Sequence, residues 1–170
     1  MKEALMMKKI AKKVLVTVGL GLALMTTSTV YAAGDDLLAF VNDISDDGSM
    51  IYDFEEVEIA LPADWRGKVR VKVEDNGVFF YHDASREKWL ETSGTEGGRL
   101  FTLSYSVNDD FTELPDYSYI GFSEESVMNY FLIFPTDMQG YMQDSAVAEE
   151  FQQLYAGIDY VKQHARMITE

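Results

Sequence analysis

Residues 69–82, VRVKVEDNGVFFYH, alternate apolar and polar side chains on either side of Asn76-Gly77. A period of two marks a strand, and Asn-Gly between two such runs signals a hairpin, because a type I′ turn needs positive φ at both central residues. The spacing predicts Val73 opposite Phe80 and Val71 opposite His82 on an inward face, with Lys72 opposite Tyr81 and Glu74 opposite Phe79 on the other. A one-residue slip would turn the inward set to solvent, so the hairpin sets register. Upstream, residues 53–61 place Val57, Ile59 and Leu61 on one face, a half-buried strand stopped by Pro62, which has no amide to donate. If this strand pairs with 69–73, Glu56 and Glu58 lie beside Arg70 and Lys72. Trp65, in the intervening turn, is read as a core plug rather than a ligand-stacking ring.

Residues 83–92 predict a short helix with Asp83 or Ser85 as N-cap and Trp89 and Leu90 turned inward. Strands follow at 99–107, with Phe101, Leu103, Tyr105 and Val107 on one face, and at 117–122. Residues 127–135 are apolar on both faces, which predicts a strand covered on both sides and central in its sheet. Over 144–168, Val147, Phe151, Leu154, Ile158, Val161, Ala165 and Ile168 recur in alternating steps of four and three. That is the stripe of one long helix, capped by Asp144 or Ser145, with Lys162 and Arg166 near its end as the helix dipole favours. The pattern predicts a single α+β domain over 51–170: an antiparallel sheet of about five to seven strands with the long C-terminal helix packed on one face.

The first 32 residues read as a leader. Lys2, Lys8, Lys9, Lys12 and Lys13 precede an apolar run over 14–25, short for a membrane span, and Val30-Tyr31-Ala32 offers small residues where a signal peptidase reads. Cleavage is expected after Ala32, and the protein is expected to be secreted; the alternative is an uncleaved anchor. No cysteine follows the run to carry a lipid, and no second run is long enough to span a bilayer. Residues 33–50 are acidic and turn-rich, read as a short helix or a tether.

Charge narrows the partners. Five of the 14 Lys and Arg, but only Glu3 of the 29 Asp and Glu, lie in the leader, so its removal takes the formal charge from −15 to −19. Such a field repels nucleic-acid phosphate and anionic lipid, which excludes nucleic acid as a partner and leaves cationic partners, calcium, an envelope or protein partner, or none. Without cysteine an exported chain has no disulfides, and its stability rests on packing.

Candidate chemistry is sparse. The stretch at 43–48, DISDDG, opens like a calcium loop, but the twelfth position, where a bidentate Glu belongs, is Phe54; it is read as a solvated acidic turn. His82, Asp83 and Ser85 invite comparison with a Ser-His-Asp triad, yet triad members converge from separate elements, so a strand-end histidine beside a turn is the preferred reading. His164 has no histidine or carboxylate at helical spacing to share a metal. There is no G-x-S-x-G and no Gly-rich phosphate loop before a helix. Tyr105, Tyr117, Tyr119 and Tyr130, with Phe122, are read as core plus a half-buried rim, or as a binding face. No catalytic, cofactor-binding or metal-binding residue is assigned. The leading expectation is a non-enzymatic extracellular or cell-envelope binding or accessory protein. The alternatives are an extracellular hydrolase-like enzyme using carboxylates or His82, and a structural protein oligomerising through the helix stripe.

The segments 59–65 (IALPADW), 80–85 (FYHDAS), 97–101 (GGRLF), 114–121 (LPDYSYIG) and 130–139 (YFLIFPTDMQ) resemble, in this order, a family of small exported proteins of Clostridia-type Gram-positive bacteria. The resemblance covers most of the chain after the leader. It implies an exported Gram-positive protein and carries no activity, cofactor or catalytic residue with it. More distantly, the strand-rich body, the Leu-Pro-x-x-Trp turn and the C-terminal helix resemble the Mog1/PsbP type of α+β sandwich, which would imply a binding or accessory role at most.

Overall fold

A computed structural model of the chain describes residues 41–75 and 77–168. The expected leader lies outside the described residues. The fold is α+β, but it has two antiparallel sheets rather than one. Strands β1 (Val41–Ile44), β2 (Met50–Phe54) and β3 (Val57–Leu61) form one sheet, completed beside β3 by the last strand, β9 (Ala165–Met167). The other holds β4 (Val69–Glu74), β5 (Gly77–His82), β6 (Arg99–Ser106), β7 (Tyr117–Ser123) and β8 (Met128–Ile133), in the order β4-β5-β6-β8-β7. Helix α1 (Asp83–Ser93) follows β5, and α2 (Ser145–Ala156) and α3 (Ile158–Gln163) precede β9.

The two sheets close on one core. Met50, Tyr52 and Phe54 of β2 and Val57, Ile59 and Leu61 of β3 face Val71, Phe80, Phe101, Leu103, Tyr130 and Leu132 of the larger sheet. Phe80 stacks on Phe101 with centroids 4.2 Å apart, and Tyr52 meets Phe80 edge-on at 5.5 Å. Trp65 is fully buried, the plug its sequence context predicts.

Several expectations are corrected. The strand expected over 53–61 is two strands: Glu55, at φ 52°, turns the chain so that Phe54 pairs with Val57. The turn escapes the pattern because it contains neither Gly nor Asn. The segment at 41–44, within the stretch read as helix or tether, is strand β1. In the β4–β5 hairpin Val71 pairs with Phe80, Val69 with His82 and Glu74 with Gly77, a register two residues from the expected one. The shift of two leaves every side chain on its expected face, as the period of a strand requires. Asn76 lies outside the described residues. Gly77 belongs to β5, where a Cβ would sit 2.5 Å from the Leu103 carbonyl oxygen; the close approach of β6 requires the glycine.

Strands β3 and β4 do not pair, because the turn at 62–68 carries the chain from one sheet to the other. Glu58 instead pairs with Arg166, and Arg70 with Asp83. Of the strand expected over 127–135, Met128–Ile133 form β8, whose side chains are buried or half-buried; it lies one place from the middle of the sheet, which β6 occupies instead. Leu90 on α1 and Val107 after β6 are exposed rather than inward.

The helix expected over 144–168 starts at its predicted cap, where Asp144 accepts from the amides of Ala146 and Val147. It breaks at Gly157, whose Cβ position lies 3.0 Å from Trp65 Nε1, and ends at His164. Residues 165–167 then pair with β3. Ala165 continues a helical period and a strand face equally well, so three residues of pattern do not separate the two. Phe151, Leu154, Ile158 and Val161 enter the core at the end of the sandwich bounded by Trp65, His82 and Phe134. The helices therefore close an end of a two-sheet body instead of covering one face of a single sheet.

Candidate functional site

His82 is fully buried at the end of β5, and Ser85, one turn into α1, is fully buried beside it. Ser85 Oγ lies 2.9 Å from His82 Nδ1, and His82 Nε2 lies 2.9 Å from Glu150 Oε1 on α2. Ser85 Oγ also accepts from the Tyr141 amide at 3.1 Å. A carboxylate only accepts, so Nε2 donates to Glu150; in the neutral ring Nδ1 then accepts the Ser85 hydroxyl proton, and every member is satisfied. The residues are those of a Ser-His-acid triad, but the acid is Glu150. Asp83 points away, to Arg70. Ser85 Oγ is enclosed by β5, α1 and the segment after β8, with no room for a substrate at the hydroxyl. The arrangement ties β5, α1, α2 and that segment together. Glu150 could not be picked out in sequence, 68 residues from His82.

A shallow cleft of about 480 Å³ lies on the outer side of the smaller sheet, between the β1–β2 turn and α3, lined among others by Asp46, Asp47, Glu58, Tyr160, His164 and Arg166. Its carboxylates are largely committed. Asp47 Oδ1 accepts from Ser45 Oγ and from the Ser49 amide, which hold its carboxyl well below the usual carboxylate range. Glu58 pairs with Arg166. His164 donates from Nδ1 to the Tyr160 carbonyl and stacks on that ring at 4.0 Å. The acidic turn of 43–48 thus uses Asp47 to shape itself, and no group of His, Asp and Glu able to hold a metal occurs among the described residues.

At the end of the sandwich away from the helices, Glu56 accepts from Ser123 Oγ (2.6 Å), Ser126 Oγ (2.7 Å) and Tyr130 Oη (3.2 Å). This carboxylate fastens the β2–β3 turn to the β7–β8 turn. Each turn holds a non-glycine residue at positive φ, Glu55 at 52° and Val127 at 57°, at a cost of about 1–3 kcal/mol apiece.

The outer face of the larger sheet differs from these polar sites. Strand pairing lines up Lys72, Phe79, Thr102, Ile133 and Tyr117 in one row, then Ser104, Phe131 and Tyr119, then Ser106, Asn129 and Phe122. At the β4 end, Phe79 and Tyr81 are buried. The Arg86 guanidinium lies 5.8 Å from the Tyr81 ring centre, and burial pushes the Tyr81 phenol upward. Ion pairs Arg70–Asp83, Lys72–Glu96 and Arg86–Glu96 lie around them. Hydrogen bonds that the Lys72 ammonium donates to Glu74 and Glu96 raise its pKa; burial opposes ionisation of Glu96, but its bonds from Lys72 and Arg86 prevail and lower it.

At the β7 end Phe111, from a short 3-10 helix, lies over the sheet. It stacks on Phe131 at 4.6 Å and on Tyr119 at 5.3 Å. Tyr117, Tyr119 and Phe122 remain 36%, 49% and 48% exposed. Of the tyrosines singled out in sequence, Tyr117 and Tyr119 join Phe122 on this face, while Tyr105 and Tyr130 point into the sandwich. Residues 100–161 contain eleven Asp and Glu and no Lys or Arg.

The chain matches no family model, no curated protein and no solved structure significantly.

Proposed function

We propose that this chain is an exported, non-enzymatic binding or accessory protein of the extracellular space or cell envelope, and that its binding face is the β7 end of the larger sheet. The observation that carries the reading is the row of Tyr117, Tyr119 and Phe122, exposed on one side of β7, where a bulge between Tyr119 and Gly121 brings Phe122 to the same side. Single exposed apolar residues are ordinary, but a contiguous aromatic patch fits an interaction surface, and Tyr and Phe are enriched in such surfaces. Export is supported by the basic leader, the short apolar run, the small residues before position 33 and the absence of cysteine.

The hydrolase-like alternative has less support, since the best Ser-His-acid arrangement is enclosed and satisfied within the fold. The oligomerising alternative loses its surface, because Phe151, Leu154, Ile158 and Val161 are taken up by the chain's own core. The test is affinity capture of envelope and culture components on the wild-type protein and on Tyr119→Ser/Phe122→Ser. The reading expects an identified component retained by the first and lost by the second, at equal folded content. Equal retention, or none by either, would remove the binding face.

A further inference from the structure

We infer that the partner of this face presents a cationic, Lys- or Arg-bearing peptide segment in extended form. The inference rests on the binding-face reading above and names the chemistry of what binds. Apart from Asp116, which precedes Tyr117 and lies 3.9 Å from Lys162, the carboxylates around the aromatic row have no ion-pair partner among the described residues. Asp109 and Glu113 sit on the loop that carries Phe111, and Glu124 and Glu125 follow Phe122 in the β7–β8 turn. All four are exposed, and none is within ion-pair distance of a Lys or Arg among the described residues. Aromatic faces beside carboxylates attract ammonium and guanidinium groups, through the ring quadrupole and through charge.

Three neutral side chains near the rings, Tyr119, Asn129 and Ser106, are already engaged inside the protein. Tyr119 Oη donates to Asn129 Oδ1 at 3.0 Å, Asn129 Nδ2 donates to the Asn108 carbonyl, and Ser106 Oγ donates to Asp110. A sugar needs such groups free to converge on its hydroxyls; a cationic side chain needs only the rings and the carboxylates. Tyr117 and Tyr119, two residues apart on a strand, match the alternate side chains of an extended peptide. The same charge argument disfavours other occupants. A second copy would bring a strongly acidic surface to an acidic one. The chain's own residues 33–40, AGDDLLAF, carry two carboxylates and no base.

The protein, purified as the cell processes it, is titrated by fluorescence anisotropy with an Arg-Gly repeat peptide, a Glu-Gly repeat of equal length and a cello-oligosaccharide, at low and physiological salt. Binding of the Arg-Gly peptide alone is expected, weakened about tenfold in Tyr119→Ser/Phe122→Ser and in Phe122→Ser to a lesser degree. Asp109→Asn/Glu113→Gln should lower both the affinity and its salt dependence. Tyr155→Ser, an exposed ring on α2, should leave binding unchanged. Wild-type affinity in the aromatic variants overturns the inference, because bulk negative charge then accounts for binding. Aromatic-dependent binding of the oligosaccharide instead of the peptide overturns it while leaving the binding-face reading intact. Peptide binding that emerges only when residues 33–40 are deleted overturns it in favour of the chain's own segment.

Discussion

At the β4 end of the larger sheet's outer face, the aromatic rings lie under cations supplied by the same chain; at the β7 end they do not. Tyr81 is buried beneath Arg86 with Phe79 stacked beside it, and the ion pairs of Arg70, Lys72, Asp83 and Glu96 lie around them. Tyr117, Tyr119 and Phe122 lie on the same face, three strands from β5, among carboxylates of which only Asp116, before Tyr117, has a Lys or Arg (Lys162) within ion-pair distance among the described residues. Seven of the nine Lys and Arg after the leader fall within residues 66–99 and the other two at Lys162 and Arg166. The difference separates two uses of one surface chemistry. Rings and ions paired within the chain close a sheet face, whereas rings and carboxylates left without cations offer half of such a pairing to something else.

The largest test of the contrast is at Phe111, whose ring packs over the β7 end. Phe111→Ala should cost about 3 kcal/mol in chemical denaturation, since it empties the stack on Phe131 and Tyr119. A loss below about 1 kcal/mol would mean that this end is not packed as described. Next, replacing a ring by serine at opposite ends should have unequal effects. Tyr81→Ser should cost about 2 kcal/mol and Phe122→Ser less than about 0.5, because only the first is buried. Equal costs would erase the distinction between the two ends.

Removing the half-buried, bidentate Arg70–Asp83 pair through Arg70→Ala should cost about 1 kcal/mol, and less in high salt. The smallest effect is on acid sensitivity. Glu96 has a lowered pKa in the folded state, so its contribution is present above the unfolded value of about 4.3 and is lost as pH falls below it. Lys72→Met/Arg86→Met should therefore flatten the fall of Tm below about pH 4, and an unchanged acid limb would place the sensitivity elsewhere.

Ser85 shows how close a sequence reading can come and still miss. His82, Asp83 and Ser85 stand together in the chain, and two of the three do touch. The acid that completes the arrangement comes from α2, and Asp83 turns to β4 instead. Adjacency in sequence fixed the His-Ser contact through one helical turn; the third member depended on where α2 docks.

The β7 surface was half legible in the same way. The alternation at 117–122 marks a strand, but whether its tyrosines face core or solvent turns on which side is covered. That was settled by β9 meeting the inner side, where a Cβ on Gly121 would press on Met167, and by Phe111 covering only part of the outer side. Phe111 itself carried no signal, sitting in an acidic turn.

The alternation of side chains determined by itself most of the strands, both faces of the β4–β5 hairpin and the start of the C-terminal helix, because these depend on local periodicity and on caps within a few residues. A register error of two in the hairpin left the faces intact for the same reason. Only the tertiary structure decided that there are two sheets. Strand partners are chosen by long-range burial, and a turn such as 62–68 reads alike whether it returns the chain to its own sheet or carries it to another. It also decided where the helix ends, since Gly157 and residues 165–167 answer to Trp65 and β3, which lie far away in the chain. And it decided which aromatic rings stay uncovered, because exposure belongs to the assembled surface and not to any stretch of residues.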